Sequence, residues 1–389
     1  MRVLVSCLQA LKEHRIPAYG FWRTNFLRGI EEAGHEPLEV PGVDWAEGLA
    51  CDDGPALEEW RGRTWGAVQD FVRGQSLIAP IDLFIGYLYP RQIERAAIRE
   101  LQRLGTPCVN FFCDNVREFR HVPSEFAPFD LHWVPEFEAL PMYKAAGWAH
   151  IHAAMPCWVP KHLRTPPERE TELPNFIGST DALRRNLLGA ALSEGAEFLI
   201  RGKGWNVENS ARNKAPARRS GFVGKVIRQL ALARSHGVGA VVHKIEQRVR
   251  PLRGAPIPTS SIADAPVGME EYHRLTREAM VTLGVNRVPT AHAPLRRPIV
   301  YSRLRDIEAP MLGACYLTEW TAGLEHMYRL GSEIETYRTS QELVAKLTEL
   351  RTNRERREAM RRSAQKRALE EHSVVRSVAR IAERLGVRA

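Results

Sequence analysis

Apolar residues follow two alternating rhythms along this chain. Short uninterrupted apolar runs, as expected of strands buried on both faces, are separated by longer stretches with apolar residues three and four apart. Residues 3–6, 81–85, 108–112, 129–134 and 151–154 carry the runs. Residues 21–34, 92–104 and 138–146 carry the helical spacing, with Ile93, Ala97, Leu101 and Leu104 on one face of the second. Gly34, Gly105-Thr-Pro107 and Gly147 stand where these helices should stop, since Gly accepts the left-handed backbone that ends a helix. Strands alternating with helices predict parallel pairing with crossover helices, hence a doubly wound α/β domain.

The pattern breaks at residues 155–174, where Pro156, Pro160, Pro166, Pro167 and Pro174 stand among charges. Proline at that density continues neither strand nor helix and suits a connector. A second α/β unit then opens with Asn175-Phe-Ile-Gly-Ser179. A helix over 182–193, a strand at 198–200 and the turn Arg201-Gly-Lys-Gly204-Trp205 follow. Further on, a short helix in Arg303-Leu-Arg-Asp-Ile-Glu308-Ala-Pro-Met-Leu-Gly313 leads into a strand over 314–317. Thr339-Ser-Gln-Glu342 is a capping box opening a helix with Leu343, Leu347 and Leu350 inward. Residues 351–367 read as a basic, solvated helix face, and Val375, Val378, Ile381 and Leu385 suit a last amphipathic helix. A chain of 389 residues is too long for one ordinary core. The expected organisation is an N-terminal Rossmann-like domain over 1–155, a hinge over 156–174, a second Rossmann-like domain over 175–370, and a C-terminal helix over 371–389 returning toward the first. Ligands of such pairs sit at the carboxyl ends of the strands, in the cleft between the domains.

Composition narrows the class. Apolar residues make up 44% and charged residues 26%, as in soluble globular proteins. No apolar run reaches the roughly 18 residues that span a bilayer, and residues 1–7 are too short for a signal-peptide core before Lys12, Glu13, His14 and Arg15. Six cysteines without a Cys-x-x-Cys pair read as free thiols in a reducing cytoplasm. The net charge of +9 is concentrated in residues 211–254, which hold eleven Lys or Arg against one acid, Glu246. Phe222, Val223, Val226, Ile227, Leu230 and Leu232 are spaced there for one helical face beside Lys225, Arg228 and Arg234. That combination suits docking on an anionic membrane surface. It also suits a disordered basic insertion or a helix packed on the second domain. With one aromatic residue, Phe222, the segment lacks the stacking platform of a nucleic-acid binder.

Several residues carry candidate chemistry. Glu308 offers a carboxylate acceptor pair suited to vicinal hydroxyls. Arg303 and Arg305 suit a diphosphate, or surface ion pairs with Asp306 or Glu308. Gly202-Lys-Gly204 is either a plain tight turn or a phosphate cradle with Arg201 and Lys203 adding charge. His14, in the loop after the first strand, carries an imidazole, the side-chain type most often used as a general base. A solvated loop residue is the other reading of His14. Asp114, at the end of a buried strand, is the rival base or a helix cap. No clear Asp-x-Asp metal motif occurs; Asp52 and Asp53 stand together in an acidic loop of the first domain.

The order of these motifs resembles the CgeB-like branch of GT-B glycosyltransferases. Phe176-Ile-Gly178-Ser179 with Arg184 and Arg185, Ile200-Arg-Gly-Lys-Gly-Trp205, and the run from Tyr301 to about Leu385 carry the likeness in the second half. The strand at 129–134, the helix Pro141-Met-Tyr to Gly147 and the strand leading to Asp114 carry it in the first. Together they cover most of the chain outside residues 206–265. The resemblance implies a GT-B fold and sugar transfer from a nucleotide-diphosphate donor in the second domain to an acceptor facing the first. The acceptor would be a glycan, a lipid-linked molecule or a protein. It implies that Glu308 binds ribose hydroxyls, with Gly178, Ser179, Arg201, Lys203, Arg303, Arg305 and Gly313 around the donor. It implies neither metal nor cofactor, and a cytoplasmic place. Many related retaining enzymes carry a second Glu eight residues before the ribose-binding one, where this chain has Val300. A GT-B nucleotide-sugar epimerase, or a non-catalytic GT-B protein binding glycan or nucleotide, are the other readings open.

Overall fold

The computed structural model describes residues 1–14, 20–205, 256–290 and 292–387. It divides into two compact units. The first holds Met1–Asn115, His121–Trp158 and Glu370–Ala389; the second holds Val116–Arg120 and Val159–Leu369. The basic segment 211–254 lies outside the described residues.

The elements of the first unit run β1 (Arg2–Ser6), α1 (Gly20–Glu32), β2 (Glu36–Leu38), α2 (Glu47–Ala50), α3 (Pro55–Ser76) and β3 (Leu83–Tyr87). Then come α4 (Arg95–Arg103), β4 (Cys108–Phe111), α5 (Asn115–Glu118), β5 (Leu131–Val134), α6 (Leu140–Ala146) and β6 (His150–His152). Six strands pair in parallel in the order β2-β1-β3-β4-β5-β6. The central strands are apolar because helices cover both faces: β3 is buried at every position. The chain winds outward from β1 in both directions, so the order reverses between β1 and β3.

Besides the single-turn helices α2 and α5, the apolar pattern does not reveal β2 and α3. β2 is a three-residue edge strand with no apolar run, Glu-Pro-Leu. The 22 residues of α3 bury Leu57, Trp60, Thr64, Trp65, Val68 and Val72, a correct helical stripe diluted by tryptophan and threonine among many charges. Trp60 and Trp65 pack edge-on to Trp45, at 6.1 and 5.4 Å between ring centroids.

The second unit continues with β7 (Asn175–Ile177), α7 (Ala182–Ser193), β8 (Leu199–Arg201), β9 (Ile262–Ala263), α8 (Gly268–Glu278), β10 (Thr282–Gly284), β11 (Arg287–Val288) and β12 (Ile299–Val300). It then has α9 (Arg305–Met311), β13 (Tyr316–Glu319), α10 (Ala322–Met327), β14 (Glu335–Tyr337), α11 (Ser340–Thr352) and α12 (Arg354–Glu371). Its six parallel strands lie in the order β14-β13-β10-β7-β8-β9, and β11 and β12 pair antiparallel apart from them. The first strand, β7, is central. The chain builds β8 and β9 on one side and returns to build β10, β13 and β14 on the other. The crevice at that reversal, between the carboxyl ends of β7 and β10, is where doubly wound sheets place ligands. Phe176, Ile200, Leu283 and Leu317 from the strands and Leu187, Leu188, Leu343 and Leu347 from the helices fill its core. Thr339 caps α11 as expected, accepting from the Glu342 amide at 3.2 Å. Glu342, however, reaches the amide of Arg338 instead of Thr339.

The last helix, α13 (Val374–Leu385), groups with the first unit and lies on α1. The two helices approach closely because position 29 is Gly: a Cβ there would fall 2.3 Å from that of Val374.

The basic helix α12 is not merely a solvated face. Arg357 and Arg361 are buried and converge on Glu170 of the connector, at 2.7 and 3.0 Å. Arg361 also donates to the carbonyls of Arg277, Ala279 and Gly313. One guanidinium thereby ties the connector, α12 and the segments entering β10 and β13 together.

Candidate functional site at the carboxyl edge of the second sheet

The six parallel strands of the second unit release their loops at one edge. The loop after β7 is Gly178-Ser179-Thr180-Asp181, and that after β8 is Gly202-Lys203-Gly204. These two loops lie against each other: the Thr180 amide donates to the Lys203 carbonyl at 3.0 Å, and Trp205 Nε1 donates to the Gly178 carbonyl at 2.7 Å. Gly202 has φ of +134°, and a Cβ there would stand 2.2 Å from the Gly178 carbonyl oxygen. Only glycine allows both the conformation and the approach.

α9 enters the same edge because it runs antiparallel to the strands. Its amino end, with Arg303, Arg305 and Glu308, therefore lies at the strands' carboxyl ends. Its other end, with Gly313, lies at their amino ends. Gly313 has φ of +74° and packs against Pro166 and Gln365. The structure thus does not bring Gly313 to the other candidate residues. It serves the turn from α9 into β13.

A buried polar lattice holds α9 in place. Asp306, wholly buried, accepts from the Arg303 amide (2.8 Å), Asn286 Nδ2 (3.0 Å), the Tyr316 hydroxyl (2.8 Å) and the Thr318 hydroxyl (3.0 Å). Beside it, Glu319 at the end of β13 accepts from the amides of Asn286 and Arg287 and from Arg287 Nε at 2.7 Å. The turn after β10 is thereby fixed to β13.

This lattice leaves the neighbouring side chains for other work. Among the described residues, Arg303 and Arg305 come within ion-pair distance of neither Asp306 nor Glu308. Arg303 lies over the Tyr301 ring and Arg305 over the Tyr272 ring, each 5.5 Å from the centroid, and Arg305 donates to the carbonyl of Ile177, the last residue of β7. Glu308 is half-buried and accepts from the Tyr272 hydroxyl. Burial raises its pKa against the opposing pull of that hydrogen bond and of Arg305.

Arg184 completes the cluster. Asp181 caps α7 by accepting from the amides of Leu183 and Arg184, both at 2.9 Å. That cap occupies the amides of the first turn and sends the Arg184 side chain back to the Ser179 carbonyl, at 2.9 Å. Burial first, and then the charges of Arg303 and Arg305, push the Arg184 guanidinium down to about 10 despite Asp181. Like charges gathered in a half-buried place are the mark of an anion site. Among the described residues, Thr180 Oγ1, Arg201 Nε and Thr321 Oγ1 are buried at this edge without a hydrogen-bond partner, while Arg184 Nε lies 3.4 Å from Asp181 Oδ2. Lone buried donors of this kind call for an incoming acceptor.

Gly178, Ser179, Arg201, Lys203, Arg303, Arg305 and Glu308, which the resemblance implies around one donor, all lie at this edge. The sequence offers Arg184 only as part of its motif, and gives no sign of Tyr272, Asn286 or Glu319. For Arg184 a signal existed: Ser179-Thr180-Asp181 is an N-cap signature, and a residue three past the cap sits in the first turn. Nothing local marks the others.

His14 and Asp114 belong to the first unit. His14 is not solvated: its Nε2 lies 2.8 Å from Asp44 Oδ2, and both side chains are buried. Asp44 also accepts from the amides of Leu11 and Glu47. Burial raises its pKa, but the bonds from His14 and the two amides outweigh it and leave the carboxyl below its ordinary value. An ionised Asp44 fixes the His14 ring, the arrangement that orients a general base. Asp114 is half-buried just before α5, and its charge bears on the Tyr87 hydroxyl. Among the described residues, no group of three His, Cys, Asp or Glu side chains is placed to hold a metal ion. None of the described helices is long and apolar enough to cross a membrane.

Two parallel six-stranded α/β units are the architecture of GT-B glycosyltransferases, and solved structures match along nearly the whole chain. Sucrose-phosphate synthase from Thermosynechococcus elongatus superposes with a TM-score of 0.56 at 11% identity, covering 99% of this chain and 98% of that one. A glycosyltransferase from Rickettsia africae gives 0.55 at 10%, covering 100% and 99%. Anabaena HepE, solved in complex with UDP and glucose, gives 0.55 at 10%, covering 99% of each. No curated protein matches the sequence. The family described as glycosyl transferase-like matches residues 184–383, more than half of the chain. The chain belongs to that family and is a glycosyltransferase of GT-B type.

Proposed function

We propose that the carboxyl edge of the second sheet binds a nucleoside-diphosphate sugar, with Glu308 on the ribose hydroxyls and Arg184, Arg303 and Arg305 around the diphosphate. The observation that carries this reading is the gathering of three guanidinium groups beside one half-buried carboxylate. Gly178, Ser179, Arg201 and Lys203 line the same edge in the two loops that Gly202 brings together. The HepE complexes contain UDP and UDP-glucose, which makes UDP the first nucleotide to test and GDP the second. Glu308→Gln is expected to weaken nucleotide binding by about 1–3 kcal/mol, the scale of a hydrogen bond to a charged group, in a folded protein. Arg184→Ala should weaken a diphosphate more than the matching nucleoside. Calorimetry checks both.

The acceptor hydroxyl needs a base, and His14, oriented by Asp44, is the better of the two proposed; Asp114 is the other. The transfer is proposed to need no metal, because the guanidinium cluster supplies positive charge for the leaving diphosphate. Turnover should therefore persist in EDTA. Activity lost to the chelator and restored by manganese would contradict that.

The order of motifs at 176–179, 200–205 and 301–385 supports a place in the CgeB-like branch, working in the cytoplasm. Residues 211–254 are proposed to dock on anionic membrane and bring the enzyme to a lipid-linked or surface acceptor. Binding to vesicles containing phosphatidylserine should be strong at low salt and fall as salt screens the charges. Replacing the segment with a Gly-Ser linker should abolish it and spare nucleotide binding. Full-length protein that fails to float with such vesicles at low salt would exclude membrane docking.

A further inference from the structure

Glu308 does not stand alone. Tyr272, on α8, donates its hydroxyl to Glu308 Oε2, and its ring lies beneath the Arg305 guanidinium, 5.5 Å from centroid to Cζ. Arg305 reaches on to the Ile177 carbonyl. One tyrosine thus contacts both a carboxylate and a guanidinium of the proposed donor site, and it comes from an element that carries none of the sequence motifs.

A Glu side chain has three rotatable bonds and, half-exposed, would sample several rotamers. The Tyr272 hydroxyl holds one carboxylate oxygen and leaves Oε1 for an incoming hydroxyl. The ring does a second job for Arg305, since an aromatic face attracts and orients a guanidinium. Both groups are thereby set before a ligand arrives, which is how supporting residues sharpen a site.

We infer that Tyr272 is a positioning residue for nucleotide recognition, holding Glu308 toward the ribose hydroxyls and Arg305 toward the phosphates. The inference rests on the reading of Glu308 as the ribose-binding group. The two contacts separate by substitution: Tyr272→Phe removes the hydrogen bond and keeps the ring, while Tyr272→Leu removes both.

The test is calorimetry on the full-length chain with UDP, GDP and the 2′,3′-dideoxy analogue of whichever binds. Tyr272→Phe should raise the Kd for the ribonucleotide about five- to tenfold, an effect of the order of one hydrogen bond to a charged group. It should leave the dideoxy analogue unchanged, because that ligand has no hydroxyls for Glu308. In the Tyr272→Phe/Glu308→Gln double variant the loss should equal that of Glu308→Gln alone, since a residue acting through another adds nothing once its partner is gone. Tyr272→Leu should weaken both ligands through Arg305. In turnover, Tyr272→Phe should raise the donor KM and leave kcat near that of the wild type. If Glu308→Gln weakens binding and Tyr272→Phe does not, Tyr272 has no positioning role. Equal losses for ribose and dideoxy ligands would overturn it too, by showing a general structural effect. If Glu308→Gln itself changes nothing, the ribose assignment falls, and the inference with it.

Discussion

Glu170→Ala is expected to destabilise the second unit by about 3–5 kcal/mol, the usual result of removing one partner from a buried ion pair. Arg357 and Arg361 have side chains 6% and 2% exposed, so the substitution leaves two buried guanidinium groups facing each other. Replacing the residues with apolar ones of similar volume would be milder; stranding the charges is what costs so much. The effect carries a pH signature. Burial raises the Glu170 pKa, but the hydrogen bond from Arg357, the charges of Arg361 and Arg357 and the bond from Arg361 together hold it below the ordinary 4.5. A depressed carboxylate contributes stability above its unfolded pKa and loses it as pH falls through the folded value. The gap in stability between wild type and Glu170→Ala should therefore be full at neutral pH and narrow only below about pH 4.5. Denaturant titrations at pH 7 and pH 4 measure it. A gap that stays constant across that range would show that packing, not charge, is what Glu170 contributes.

The second large effect is expected at Asp306. Asp306→Ala removes the shared acceptor of the Asn286 amide, the Tyr316 and Thr318 hydroxyls and the Arg303 amide. Each buried donor left unpaired costs about 1–3 kcal/mol, so the total should exceed ~3 kcal/mol even after relaxation. The same change frees the amino end of α9, so nucleotide affinity should fall although Asp306 itself lies beneath the site. Asp306→Asn keeps the shape and one acceptor oxygen and should cost less on both counts. Thermal unfolding with and without UDP separates the two losses. Unchanged stability in Asp306→Ala would mean that the lattice is dispensable.

The architecture was legible wherever local pattern and global fold agree. Buried parallel strands such as β3 and β4 announce themselves as apolar runs, and glycines such as Gly34 and Gly147 mark helix ends, because each is decided by a few neighbouring residues. α3 was hidden since its apolar stripe is built from Trp60, Trp65 and Thr64 among charges. β2 was hidden because an edge strand of three residues has no pattern to show. The candidate site was legible in its loops and in α9, where the motif spacing is local. It was not legible in its partners. Tyr272 and Glu308 are 36 positions apart, and Asn286 and Glu319 are 33 apart; only strand order brings them together. Gly313 shows the opposite error. The resemblance implies a place for it around the donor, but α9 carries it from Glu308 to the amino ends of the strands. His14 shows how burial changes a reading: its partner, Asp44, lies 30 residues away, after another strand.

The most direct test of the whole account is nucleotide binding at the second unit's carboxyl edge. Isothermal titration of wild type, Glu308→Gln and Arg184→Ala with UDP and with GDP measures it. The account predicts saturable binding of at least one nucleotide by the wild type, reduced by about 1–3 kcal/mol in Glu308→Gln and reduced in Arg184→Ala, with the fold of both variants intact. Binding that is identical in all three folded proteins would contradict it.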